Sequence, residues 1–162
     1  MNYDILNLTN KDESIVWEML VYAAQQRSLI DVQKQDCLAR YAANWGRRGD
    51  MGFVAKTQIG SIGAAWLRLW LDDDKGFGYV DDRIPELAIA VLPEYRGCQI
   101  GTQLLMKVLD SAQDTCPGIS LSVRADNPVV KLYQRVGFIK VDGTETLVEG
   151  VVSSFNMIYK FT

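Results

Sequence analysis

Histidine is absent from this 162-residue chain. Its absence removes Ser-His-Asp and Cys-His catalysis, histidine metal ligation and histidine proton shuttling together, so any acid or base must be a carboxylate, tyrosine, lysine, thiol or terminus. Cysteine is scarce and odd in number: Cys37, Cys98 and Cys116 show no CxxC spacing. Three such residues fit reduced intracellular thiols better than a disulfide framework or a zinc site, and no metal is expected. No run approaches the roughly 18 apolar residues of a membrane helix, and Met1 to Leu8 lacks a basic segment followed by an apolar one. A soluble, cytoplasmic protein with no membrane partner is expected. Basic excess is missing too, since 17 Lys and Arg face 20 Asp and Glu for a net charge of −3. That balance leaves no electrostatic footprint for nucleic acid. Repeats, low-complexity segments and linkers are also lacking, and the length suits one domain over residues 1–162.

The negative charge is concentrated. Between Leu71 and Glu86 lie Asp72, Asp73, Asp74, Asp81, Asp82 and Glu86 against Lys75 and Arg83. Such a run is either a solvated loop or a mouth that attracts a cationic substrate.

Periodicity orders the chain as β-α-α-β-β-β-α-β-α-β-β. Tyr3 to Leu8 alternates as a strand, and Thr9 to Glu13 starts a helix with Ile15, Trp17, Leu20, Val21 and Ala24 inward. A second helix is expected from Asp31 to Asn44, with Val32, Leu38, Tyr41 and Ala42 inward and Gly46 breaking it. Trp17, Tyr22, Tyr41 and Trp45 are read as core. Met51 to Thr57 and Ser61 to Leu71 form an antiparallel pair across Gln58-Ile-Gly60. Leu87 to Val91 is apolar enough to be buried on both faces.

From Gln99, the residues Ile100, Leu104, Leu105, Val108, Leu109 and Ala112 recur at helical spacing. Ile119, Leu121 and Val123 alternate with Ser120, Ser122 and Arg124 as a strand. Asn127-Pro128 caps a short helix from Val129 through Arg135. Gly137 ends it, Phe138 to Val141 returns as strand, and a last strand from Val151 to Phe161 puts Phe155, Met157, Tyr159 and Phe161 on one face. Its edge is one that a homodimer would cover.

Ile84 to Met106 reads as strand, tight turn and helix start, which makes it an anion site. A helix start leaves several N–H groups unpaired and carries roughly half a positive charge. Arg96 and Gly97 open the turn, Gly101 follows, and Thr102 adds a hydroxyl.

Two motifs then coincide. Val91-Leu-Pro-Glu-Tyr-Arg-Gly-Cys-Gln-Ile-Gly-Thr-Gln-Leu-Leu105 resembles the acetyl-CoA-binding motif of the GNAT family of N-acetyltransferases, Q/R-x-x-G-x-G/A, with Arg96 and Gly101 at its ends. Leu121-Ser-Val-Arg-Ala-Asp-Asn-Pro-Val-Val-Lys-Leu-Tyr-Gln-Arg-Val-Gly-Phe138 resembles the second signature of that family: Asn, Tyr six residues later, then Gly-Phe. The element order agrees over essentially the whole chain.

The resemblance implies an α/β (α+β) fold with a central mixed, mostly antiparallel sheet, a splayed parallel strand pair and flanking helices. It implies acetyl-CoA as acyl donor and direct transfer of the acetyl group to a primary amine of a small molecule or peptide, the acidic segment favouring a cationic one. Ile89, Ala90 and Val91 would bond the pantetheine arm through their backbone. Arg96, Gly97, Cys98, Gln99, Ile100, Gly101 and Thr102 would hold the pyrophosphate, with Asn127 adding a cofactor contact to its capping role. Tyr133 would protonate the departing thiolate. Glu86, beside an apolar run that raises a carboxyl pKa, is the candidate base through a water, with Asp81, Asp82 and Tyr79 as competitors.

Cys98 stands where a helix start lowers a thiol's pKa, but direct attack of the amine needs no covalent enzyme intermediate. Trp66, Trp70 and Phe77 flank the acidic segment as pocket candidates, Trp66 equally as core. One residue departs from the family pattern. Gln99 occupies the first glycine of G-x-G, and an ordinary helical conformation with its amide toward solvent is expected for it. That departure keeps open a non-catalytic acyl-CoA-binding sensor of the same fold. A dinucleotide-binding enzyme would need a G-x-G-x-x-G that follows a strand, which is missing.

Overall fold

In the structure, a computed structural model describing residues 2–162, eight strands form one sheet between two helical layers. The strands are β1 (Asp4–Asn7), β2 (Met51–Lys56), β3 (Ser61–Arg68), β4 (Glu86–Val91), β5 (Gly118–Arg124), β6 (Ile139–Lys140), β7 (Thr146–Val148) and β8 (Val151–Lys160). Their order is β1-β2-β3-β4-β5-β8-β6, with β7 also paired to β8. All pairs are antiparallel except β4 and β5. That parallel pair meets only at Glu86 with Ser120, and the strands then separate. Among the described residues, no helix is long and apolar enough to cross a membrane.

Alternation along β3 divides the interior in two. Ala65 and Leu67 face α4 (Ile100–Ala112), whose Ile100, Leu104, Leu105, Val108, Leu109 and Ala112 are all buried, as their spacing predicts. Ala64 and Trp66 face the other layer, where α1 (Glu13–Ala23) buries Val16, Met19 and Leu20. The inward stripe of α1 is thus rotated from the predicted one: Ile15, Trp17 and Val21 are only half-buried, and Trp17 instead donates to Glu13 at 2.9 Å.

The single helix expected over residues 31–44 is two short ones, α2 (Leu29–Gln33) and α3 (Asp36–Ala39). Gln35 is the break: its backbone is extended and its side-chain amide donates to the Asp31 carbonyl at 2.8 Å. The hairpin strand β7 was also not expected; its three exposed residues carry too short an alternation to show in the sequence. The last helix, α5 (Val129–Val136), agrees with its capping reading, since the Asn127 carboxamide oxygen accepts from Val129 N–H at 3.0 Å.

A buried ion pair anchors the segment after α3. Arg68 donates to both Asp50 carboxylate oxygens, at 3.0 and 2.8 Å, with both side chains 1% exposed. The same guanidinium donates to the carbonyls of Arg40 and Ala43 and lies over the Trp45 ring. Fixing residues 40–45 this way sets Tyr41 over the end of β4. Arg68→Ala would strand the Asp50 charge in the interior, and urea denaturation is expected to show a loss of about 3–5 kcal/mol.

Candidate functional site

The fork between β4 and β5 opens into two adjoining cavities, of about 290 and 830 Å³. The smaller has Glu86 at its closed end, where the strands still pair. The larger runs out along β4 toward Arg96 and Gly101. Ile89, Asn127 and Tyr133 stand in the walls of both.

Glu86 is 3% exposed and held by three donors. Oε1 accepts from Trp70 Nε1 and Gly78 N–H, each at 2.9 Å, and Oε2 accepts from the Tyr41 hydroxyl at 2.6 Å. A carboxylate has about four lone-pair sites, so one on Oε2 remains for the cavity. Burial pushes this carboxyl up from 4.5 to about 7, against the pull of the Tyr41, Trp70 and Gly78 donors. The Tyr41 phenol is driven far above its ordinary range, first by burial and then by the Glu86 charge, and so stays a donor.

Two glycines let the loop close over this carboxylate. A Cβ on Gly76 would come within 2.5 Å of Glu86 Oε1 and the Tyr41 hydroxyl, and one on Gly78 within 2.6 Å of Glu86 Cδ. The loop is pinned further, because Phe77 N–H donates to the Tyr41 hydroxyl and the Ser120 hydroxyl donates to the Gly78 carbonyl.

Tyr133 sits on α5 against Phe138, its ring 5.6 Å away, and is 5% exposed. Its hydroxyl has no hydrogen-bond partner among the described residues, and burial alone raises its pKa to about 12. It stays protonated throughout the neutral range, with its proton uncommitted.

The turn before α4 supplies the second chemistry. The N–H groups of residues 97 to 102 find no acceptor within the described chain. Gly97 at φ +81° and Gln99 at φ +65° both have left-handed backbone, which turns successive N–H groups to one side. Arg96 folds back on the strand, its Nε donating to the Val91 carbonyl at 3.1 Å. The result is a donor-rich concavity at a helix N-terminus, suited to phosphate oxygens. Ile89, Ala90, Val91, Arg96, Gly101 and Asn127 wall the larger cavity. Cys98 and Gln99 are exposed, the Ile100 side chain lies in the core, and Thr102 is half-buried.

Gln99 therefore corrects the expected helical conformation. It is the cap before α4 and is left-handed, the conformation that a glycine adopts freely and a glutamine does not. No clash forces glycine here. The turn takes this path at a conformational cost.

Of the two readings of the acidic segment, the solvated loop fits its pairing. Asp74 pairs with Arg47 at 2.7 Å, Asp81 with Arg83, and Asp82 accepts from the Tyr79 hydroxyl. The Arg83 contacts hold the Asp81 carboxyl below its usual range. Asp74, Asp81, Asp82 and Tyr79 do not line the Glu86 cavity. Of the three aromatic pocket candidates, only Phe77 lines it; Trp66 is wholly core and donates to the Tyr41 carbonyl, and Trp70 spends its N–H on Glu86. Sequence reasoning missed Tyr41 as the partner of Glu86. The one usable signal was Gly76-x-Gly78, a spacing that suits close approach of a loop to something buried.

The profile described as the acetyltransferase (GNAT) family matches residues 5–138. The chain belongs to that family. Solved structures agree in fold. The ribosomal-protein-S18-alanine N-acetyltransferase from Escherichia coli superposes with TM-score 0.69 at 20% identity over 99% of this chain and 95% of its own. The yncA structure from Salmonella typhimurium, determined with its cofactor acetyl-CoA, gives TM-score 0.69 at 16% identity over 100% and 95%. A chimera of the spermidine N-acetyltransferase SpeG from Vibrio cholerae gives 0.62 at 20% over 99% and 96%. None of the curated proteins matches the chain.

Two measurements check this geometry of the GNAT protein. Glu86 binds its proton more tightly folded than unfolded, so its contribution to stability is greatest below about pH 4.5 and is lost as pH rises through about 7. Unfolding free energies of the wild type relative to Glu86→Gln should fall across that window. Gln99→Gly removes left-handed strain, and thermal denaturation should show a gain of about 1 kcal/mol.

Proposed function

We propose that this protein is an acetyl-CoA-dependent N-acetyltransferase that acts on a primary amine of a small molecule or peptide by direct attack on the thioester. The observation that carries this reading is the meeting of Glu86 and Tyr133 in one cavity, an acceptor of protons and an uncommitted donor, beside a run of unpaired N–H groups. The yncA neighbour, which holds acetyl-CoA, supports the choice of donor.

The run of N–H groups from Gly97 to Thr102 fits a pyrophosphate, and Arg96 adds a positive charge beside it. The edge of β4 beyond Glu86 has no strand partner on the β5 side, so its backbone groups can bond an amide-bearing arm laid in the fork. Acetyl-CoA, when bound, supplies the activated acyl carbon and a thiolate leaving group. Glu86 takes a proton from the amine on the free Oε2 position, through a water where the amine does not reach it. Its pKa of about 7 suits a group that must both accept and release a proton near neutrality. As the N–C bond forms and the C–S bond breaks, Tyr133 gives its hydroxyl proton to the sulfur. Solvent then restores the Tyr133 proton and removes the one on Glu86. Tyr41, Trp70 and Gly78 position the carboxylate and do not touch the reacting atoms.

Release of CoA thiol with an amine panel tests the activity. Acetyl-CoA binding without thiol release from any amine would leave a binding module instead. Tyr133→Phe is expected to lower kcat by about 10²–10⁴ while acetyl-CoA affinity stays unchanged. In the wild type, kcat/KM should rise through about pH 7 as Glu86 ionises, and that limb should vanish in Glu86→Gln.

A further inference from the structure

Beyond Glu86, the fork opens sideways onto a third cavity of about 260 Å³, which shares Phe77, Ser122 and Arg124 with the first. It lies over one face of the β5–β8 pair. Register sets Ser122 opposite Asn156 and Arg124 opposite Ser154, so these four polar residues share that face. The opposite face is apolar, with Leu121, Val123, Phe155 and Met157 packed in the main core. A helical layer covers the corresponding face of β3 and β4, whereas over this part of β5 and β8 the chain leaves a cavity lined by Phe77.

Asn156 is the anomaly. It is 7% exposed, yet its carboxamide has no hydrogen-bond partner among the described residues; only its backbone groups are bonded. Its carboxamide atoms are not sealed from solvent, so their hydrogen-bonding capacity is open to water or a ligand in the cavity they line. Among the described residues the Ser122, Thr146 and Ser154 hydroxyls are also without partners, whereas those of Thr144 and Ser153 are spent on backbone carbonyls. The free groups at the wall are therefore three hydroxyls and the Asn156 carboxamide, with the Arg124 guanidinium at the rim. Arg124 has Asp126 at 3.4 Å, but that pair is largely exposed and worth little. Among the described residues, Glu86 and Arg124 are the only charged ones in the walls of this cavity and the one holding Glu86. A polyamine would find no second carboxylate there. An anion would find hydroxyl and carboxamide donors and one cation.

We propose that the acceptor is an amino acid, a primary amine that also carries a carboxylate, its amine at Glu86 and its carboxylate held by Ser122, Ser154, Asn156 and Arg124. This inference rests on the N-acetyltransferase reading and names the acceptor class of the same site. It replaces the cationic acceptor that the acidic segment suggests.

The experiment measures thiol release from acetyl-CoA with the common L-amino acids, with their methyl esters and with spermidine. At least one free amino acid should turn over, with kcat/KM at least 100-fold above that of its ester and of spermidine. Asn156→Asp puts a like charge against the carboxylate at unchanged size, and should raise KM for that amino acid at least tenfold with kcat and the acetyl-CoA KM little changed. Ser154→Ala, a milder change, should raise the same KM severalfold if Asn156→Asp fails to fold. Esters or spermidine used as well as the free acids, or a KM indifferent to the variants, overturns the proposal. If no amine of any kind is acetylated, the transferase reading fails, and calorimetry of the same amino acids with the CoA-loaded protein decides the pocket alone. Binding that Asn156→Asp abolishes upholds it, and no binding overturns it.

Discussion

Two parallel strands that pair at one register position, Glu86 with Ser120, and then diverge create the cleft in which Glu86 and Tyr133 meet. Separation leaves backbone groups of β4 without a sheet partner, a condition a protein tolerates only where water or a ligand completes them. It also makes a cleft whose floor is the last paired position. The residue at that position, Glu86, is thereby buried by the sheet and exposed to the cavity at once. Both its raised pKa and its access to an acceptor follow from standing at the point of divergence.

Burying a carboxylate there requires donors, and the surrounding structure supplies them from three distant segments. Tyr41 comes from the turn after α3, Trp70 from the end of the β3 hairpin, and Gly78 from the loop before β4. Tyr41 reaches its place because Arg68, paired with Asp50, clamps the flanking carbonyls of Arg40 and Ala43 onto β3. The loop comes close enough only because positions 76 and 78 lack side chains. A buried ion pair, a tyrosine, a tryptophan and two glycines thus act together to hold one acid in a state able to exchange protons near neutrality. Tyr133 contrasts with it: burial keeps its proton on, and no acceptor among the described residues claims that proton.

The phosphate-turn geometry shows how local and global demands collide. Gly97 accepts a left-handed backbone freely, and Gln99 adopts the same conformation against its preference. The fold requires that path because it orients the N–H groups preceding α4. A glutamine there indicates that the backbone path outweighs about 1 kcal/mol of local strain.

Much of the architecture was legible in the chain. The buried face of α4, the capped start of α5 and the alternation of β5 depend on residues within a few positions of one another, and short-range periodicity records them. The paired motifs identified the family for the same reason. The helix break at Gln35, the hairpin strand β7 and the inward stripe of α1 were not legible, since each is decided by what packs against it. The acidic segment left two readings open because charge counted along a chain says nothing of direction: Asp81 and Asp82 turn to neighbours in the loop, and Asp74 turns to Arg47. Tyr41 lies 45 residues from Glu86, and Ser122 lies on a different strand from Asn156. Residue type and spacing thus established the elements and the family, because backbone propensity and turn chemistry are local. The proton affinity of Glu86, the left-handed cap at Gln99 and the unpaired amide of Asn156 came from folding alone, because burial and pairing are sums over neighbours that only the folded chain brings together.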